Sequence, residues 1–229
     1  MSAPWKYEAK GPVARFIHDF EENAIALMLG LMTALTFINV IRRYVFNASL
    51  IWSLEVVLTL FSWLVLFGVA YCFKVTAHLG VDAVLNMVSA PKRRLLGLLA
   101  AALTLFYAVL LAKGAWDYWA PFADLPPTTG RWLPTGLNFS ARGTSYFETD
   151  QIPMPGFLRF LEDLINYGDA YSKMPRVVPY LILPISAALI LLRLVQASLR
   201  IVRGETTSLI VSHEAEDAVE EVAALNRES

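Results

Sequence analysis

Four stretches of the chain, residues 24–41, 56–73, 95–112 and 177–192, contain no charged side chain. These 70 residues hold none of the 39 Asp, Glu, Lys and Arg. The other 159 hold them all, about 25%, which is an ordinary aqueous composition. A helix rises about 1.5 Å per residue, so crossing roughly 30 Å of hydrocarbon takes about 20 mostly apolar residues. Each stretch reaches that length once its uncharged flanks are counted. Burying four such stretches inside a soluble protein of 229 residues would require a far larger core than the chain offers. The expected fold is therefore an all-α membrane protein. It has four transmembrane helices, interfacial amphipathic helices and a long extracytoplasmic loop between spans 3 and 4. Pro179 and Pro184 interrupt the fourth stretch, and a kink near Pro184 is expected.

The same distribution excludes several classes. The apolar content argues against disorder, and a net charge of −1 argues against a nucleic-acid binder. Cys72 is the single cysteine, so an intrachain disulfide framework and a multi-cysteine metal cluster are ruled out. Twenty-three mostly polar residues precede the first stretch, and Ile41-Arg42-Arg43 ends it without a small-residue cleavage site. It reads as a span and not as a signal peptide.

The expected organisation is a cytoplasmic N-terminus with an interfacial helix (1–23), spans 1 to 3 with short loops (24–112), a long periplasmic loop (113–176), span 4 (177–195) and an acidic cytoplasmic tail (196–229). Orientation follows from Lys and Arg near the spans. The N-terminus, the second loop and the start of the tail carry ten, and the short first loop carries Arg42 and Arg43. Both termini are expected in the cytoplasm and the 64-residue third loop outside, which is the periplasm if the organism is a Gram-negative bacterium.

Before the first span, Val13, Phe16, Ile17, Phe20 and Ala24 share one helical face, with Pro12 in the first turn. This reads as an interfacial helix or as the cytoplasmic extension of span 1. In the second loop, Ala77, Val81, Val84, Leu85 and Val88 share a face, and Lys92-Arg93-Arg94 follows where headgroups are anionic. The third loop is rich in Trp, Pro and Gly. Trp116, Tyr118 and Trp119 read as an interfacial aromatic belt. Residues 155–171 read as a short helix, with Phe157, Phe160, Leu161 and Leu164 on one side. From Ser212 the tail reads as a weak amphipathic helix or a frayed, solvated end.

Few residues carry chemistry. His18, His78 and His213 all lie outside the spans, which leaves no axial ligands for a haem within the bundle. His78 and Asp82, four apart, read as a surface pair, because two ligands make a poor metal site. No cofactor and no metal are expected. Intramembrane ion sites and proton relays are normally marked by charged residues, and the span cores have none. Such a chain is not expected to conduct or pump by itself. Glu55 opens the second span, where an acid complements the positive end of the helix dipole. Arg42 and Arg43 lie on the same membrane side, close enough for an ion pair. Trp52 faces the same way as Glu55. Either a polar anchor for a partner or simple helix capping fits these residues.

An ordered set of short motifs then carries a resemblance. It comprises Arg42-Arg43-Tyr44-Val45-Phe46, Trp52-Ser53-Leu54-Glu55, Trp63, Phe67-Gly68-Val69-Ala70 and His78-Leu79-Gly80-Val81-Asp82. In this order and spacing the chain resembles the small membrane subunit, of the DctQ type, of tripartite ATP-independent periplasmic (TRAP) transporters. The resemblance implies a transporter subunit and not an enzyme. Its partners would be a large multi-span TRAP subunit of elevator type, a periplasmic solute-binding protein and membrane lipid. The transported solute would be an organic acid such as a C4-dicarboxylate, with sodium coupling. The implied partner-interface candidates are Arg42, Arg43, Trp52, Glu55, Gly68, His78 and Asp82. Gly30, Gly68, Ala70, Gly97 and Ala101 would allow close helix packing against the large subunit. The outer loop would help to dock the binding protein. The alternatives are the membrane anchor of an oxidoreductase and a stand-alone four-helix scaffold.

Overall fold

A computed structural model describes residues 11–75, 90–141 and 147–203. Its long elements are helices α1 (Pro12–Val45), α2 (Ile51–Val75), α3 (Ala90–Trp119) and α6 (Ile182–Arg203). Among the described residues, four helical segments are long and apolar enough to cross a membrane: Ala14–Val45, Ile51–Lys74, Leu95–Ala123 and Val177–Arg203. The four expected spans are therefore all present, although each helix outruns its charge-free stretch. The segment before span 1 is not a separate interfacial element. α1 runs as one 34-residue helix, about 51 Å at 1.5 Å per residue, and Pro12 occupies its first turn. Trp116, Tyr118 and Trp119 do not follow span 3 but form its last turn. The second-loop amphipathic segment and the acidic tail lie outside the described residues.

Backbone proximity divides the chain into two compact units, Met1–Tyr71 with Val109–Leu189 and Cys72–Ala108 with Ile190–Ser229. In the second unit Ala101, Ala108, Ile190, Leu194 and Ile201 are buried. The first unit contains the α1–α2 hairpin. Asn47, at φ 49°, turns the chain after α1, a left-handed conformation that Asn tolerates better than most residues. The hairpin is tied at both ends. The Leu50 amide donates to Asn39 Oδ1 at 2.9 Å, and the Tyr71 hydroxyl donates to Glu22 Oε1 at 2.8 Å. His18 stacks on Tyr71, with ring centroids 5.9 Å apart.

The third loop is folded. A 3-10 turn (Ala120–Ala123) leads into a small hairpin, β1 (Thr128–Thr129) with β2 (Gly136–Leu137). β3 (Glu148–Pro153) pairs antiparallel with β4 (Lys173–Pro175). Between them lie a 3-10 turn (Gly156–Leu158) and a short helix, α4 (Phe160–Ile165). The helix expected over 155–171 is thus only six residues long, because Tyr167 (φ 54°) and Gly168 (φ 87°) turn the chain out of it. Phe122, Met154, Ile165, Tyr171 and Val177 form a buried cluster under this cap, edged by Trp119, Leu158, Leu161 and Tyr180.

The expected kink in the fourth span is a one-residue break in the helical hydrogen bonding at Leu181, whose backbone stays helical at φ −56° and ψ −28°. α5 (Val177–Tyr180) stops, and α6 starts at Ile182. Pro184 has no N–H for the carbonyl four residues back, and its ring crowds that carbonyl. Two tryptophan indoles satisfy carbonyls of the broken turn: Trp119 Nε1 donates to the Val177 carbonyl at 2.9 Å and Trp63 Nε1 to the Pro179 carbonyl at 2.8 Å. A broken helix in an apolar setting requires such partners.

Candidate functional site

Several polar contacts converge where Glu55, near the start of α2, meets β3. The β3–β4 ladder is irregular: its pairs are Glu148 with Pro175 and Pro153 with Lys173. β3 therefore advances five residues while β4 advances two. The extra residues of β3 cannot use β4 carbonyls, so their amides turn elsewhere. Glu55 takes all three. Its carboxylate accepts from the Asp150 N–H at 3.0 Å, the Gln151 N–H at 2.7 Å and the Ile152 N–H at 3.2 Å. Successive amides converging on one anion form a small nest. An acid ninety-five residues away in sequence thus completes the strand.

Around this nest the cap is cross-tied. Arg176 Nε donates to the Glu148 carbonyl at 2.9 Å, and its guanidinium pairs with Asp150 Oδ1 at 3.2 Å. Lys173 Nζ donates to the Asp150 carbonyl. Glu148 accepts from the Ser172 amide and hydroxyl. At the other end of the loop, Asp117 in the last turn of α3 pairs with Lys113 and accepts from both the amide and hydroxyl of Thr128 at 2.6 Å. The Trp116 indole donates to the Pro126 carbonyl.

Beside the nest is a cleft of about 460 Å³. Leu58, Leu66 and Leu183 give it apolar walls, and Thr59, Ser62 and Tyr180 give it hydroxyls. The Ser62 and Thr59 hydroxyls donate to carbonyls one turn back in α2. Among the described residues, no group of three or more His, Cys, Asp or Glu could hold a metal ion. The site holds backbone together and offers no nucleophile–base pair.

The sequence-derived candidates separate on the structure. Trp52 is half-buried in the first turn of α2, and Glu55 begins the next turn. Arg42 and Arg43, in the last turn of α1, are exposed, and no ion pair joins either to Glu55 among the described residues. The bulged strand takes that carboxylate instead. A Cβ at Gly68 or Gly30 would meet no atom within 4 Å, so both leave open space on their helices. Ala70 and Ala101, both 4% exposed, and the buried Gly97 are packed within the chain itself. They are used in this chain's own packing and do not form part of an open partner face. His78 and Asp82 lie outside the described residues.

Sequence reasoning missed Asp117, Trp119 and Arg176 as structural ties. The spacing of Lys113 and Asp117 signals a helical ion pair, but nothing local points from Asp117 to Thr128 or from Trp63 to Pro179.

Comparison with known proteins adds an independent line. Residues 32–146 match the family described as tripartite ATP-independent periplasmic transporters, DctQ component. The chain is similar to the C4-dicarboxylate TRAP transporter small permease protein DctQ of Vibrio cholerae, at 40% identity over 93% of this chain and 84% of that protein. It is also similar to the protein of the same name from Pseudomonas aeruginosa, at 27% identity over 90% of this chain and 94% of that one. A third, from Rhodobacter capsulatus, is 29% identical over 44% of this chain and 58% of its own length.

Proposed function

This chain belongs to the DctQ family of small permease subunits of TRAP transporters, and from that premise we propose that it braces a large, elevator-type subunit during sodium-coupled uptake of a C4-dicarboxylate. It is a multi-pass bacterial inner-membrane subunit of a transporter, not an enzyme. The substrate class rests on the names of the Vibrio and Pseudomonas relatives. A periplasmic solute-binding protein delivers the acid, and the large subunit carries the substrate and ion sites.

One observation carries the bracing role: the span cores 24–41, 56–73, 95–112 and 177–192 hold no charged residue. Substrate anions and coupling ions crossing a membrane need polar or charged partners at depth. A brace needs lipid-compatible helices and firm ends, which the Glu55 nest and the two tryptophan caps supply. Both termini lie in the cytoplasm, so the cap formed by residues 120–141 and 147–176 faces the periplasm. Around α4, Phe157, Phe160, Leu164 and Tyr167 are exposed, and this side of the cap receives the binding protein. Arg42, Arg43, Trp52 and Gly68 lie toward the large subunit, as do His78 and Asp82 of the second loop.

The test is co-purification from native membranes with a tag on this chain. Recovery of a large multi-span subunit is expected; its absence at mild detergent concentrations would overturn the bracing role. Phe157→Ser with Tyr167→Ser should slow delivery from the binding protein while leaving that recovery unchanged. Unchanged uptake would remove α4 from the docking surface.

A further inference from the structure

We propose that the β1–β2 hairpin is a membrane-dipping anchor that seats its tip in the headgroup layer of the outer leaflet and favours anionic lipid there. The hairpin is a rigid device. The Thr135 amide donates to the Thr129 carbonyl at 3.0 Å, their hydroxyls lie 3.1 Å apart, and the Asn138 amide donates to the Pro127 carbonyl at 2.8 Å. Gly130 turns the tip at φ 94°, and a Cβ there would sit 2.2 Å from the Leu133 carbonyl oxygen. Only glycine closes this loop, and closing it presents Arg131, Trp132 and Leu133 together.

The surface so presented is unsuited to water. Trp132 is 61% exposed, Leu133 48% and Phe139 81%, with Leu125 and Leu137 also exposed. From 125 to 141 the one charged residue is Arg131, whose guanidinium carbon lies 5.6 Å from the centre of the Trp132 ring. An aromatic ring with an adjacent Arg suits the membrane interface, where the ring sits among headgroups and the guanidinium meets phosphate. A single cation within an otherwise uncharged segment complements an anionic leaflet.

The fold also fixes where the base of the hairpin sits. The base of the hairpin is tied to the last turn of α3, through Asp117 to Thr128 and through Trp116 to Pro126. That turn is the end of a membrane span, and it carries the Trp116 and Trp119 indoles. The hairpin therefore leaves the span at the level of its aromatic belt, within reach of headgroups. The outward placement of the loop, taken from the proposed function, decides only which leaflet is touched.

The test uses the full-length chain with Cys72→Ser and Leu133→Cys, labelled with an environment-sensitive fluorophore in lipid nanodiscs. Quenching by lipids bearing a nitroxide near the headgroup is expected to exceed quenching by aqueous iodide, and to rise when phosphatidylglycerol replaces phosphatidylcholine. Trp132→Ser should lower the lipid quenching by roughly half. Arg131→Gln should abolish the dependence on phosphatidylglycerol and keep the lipid contact. Iodide quenching without nitroxide quenching would overturn the proposal. So would loss of both when the large subunit is bound, since protein would then cover the tip. A membrane-impermeant maleimide applied to spheroplasts reports the side separately. Reaction only after lysis would contradict the outward placement, whichever quencher acts.

Discussion

α1 and the outer cap solve opposite problems within one unit. The most apolar window of α1 has none of its 18 residues buried, and Leu27, Phe37 and Ile38 are exposed along it. The cap, by contrast, ties nearly every turn to another: Glu55 to β3, Arg176 to Glu148 and Asp150, Asp117 to Thr128, and two indoles to the broken fourth span. A helix in lipid satisfies its own backbone and needs no partner to persist. A loop in water must find a partner for each amide that is not in regular structure. The difference implies that the cap is held by the chain's own helices through Glu55 and Asp117, whereas α1 keeps its apolar face available to lipid or to another subunit.

The comparison can be broken most forcefully at Glu55. Glu55→Ala removes the acceptor for three amides at once. Hydrogen bonds to a charged group contribute about 1.5–3 kcal/mol each, but water can replace part of those at the exposed Asp150 and Gln151, so a net loss of about 2 kcal/mol is expected. Denaturant titration of the purified protein in detergent checks this. Glu55→Gln should recover about half of the loss, because one amide oxygen still accepts. Equal stability of wild type and Glu55→Ala would show that the nest does not hold the cap.

Next come the tryptophan caps. Trp63→Phe strips the Pro179 carbonyl of its donor and should cost about 1 kcal/mol in the same titration. Trp119→Phe should behave alike at Val177. On α1 the expectation reverses. Phe37→Ala should leave the stability of the isolated chain within about 0.5 kcal/mol. Any effect should be seen in recovery of the large subunit. Gly68→Leu likewise enters open space and should weaken co-purification without unfolding the chain.

The smallest effect is a pH dependence confined to the cap. Burial, with Glu148 and Glu162 nearby, pushes the Tyr171 phenol from 10.0 up to about 12. The folded cap therefore holds this proton more tightly than the unfolded chain. The stability it contributes is complete below pH 10 and is lost as pH rises toward about 12. Tyr171→Phe should lessen the fall in stability across that window. A loss of the same size in the variant would assign it to other groups.

Much of this architecture is legible in the sequence, for physical reasons. Charge-free stretches mark spans because lipid tolerates no unpaired charge. Pro179 and Pro184 mark the break because proline lacks the donor a helix needs. The aromatic belt at 116–119 is visible, although the helix runs through it. The cap is not legible, because its ties are long-range. No local pattern shows that β3 is bulged, that β4 lies some twenty residues further on, or that Glu55 faces strand amides in place of Arg42 or Arg43. The small residues mislead for a related reason: spacing cannot tell Ala70 and Ala101, packed within the chain, from Gly30 and Gly68, which are open.

The central claim, that this chain braces a transporter and carries no transport site itself, is tested most directly by uptake of a radiolabelled C4-dicarboxylate into proteoliposomes. The chain is reconstituted with and without the large subunit, in the presence of the binding protein and a sodium gradient. Uptake is expected only when both membrane subunits are present. Uptake by this chain and the binding protein alone, or undiminished uptake by the large subunit without this chain, would contradict the account.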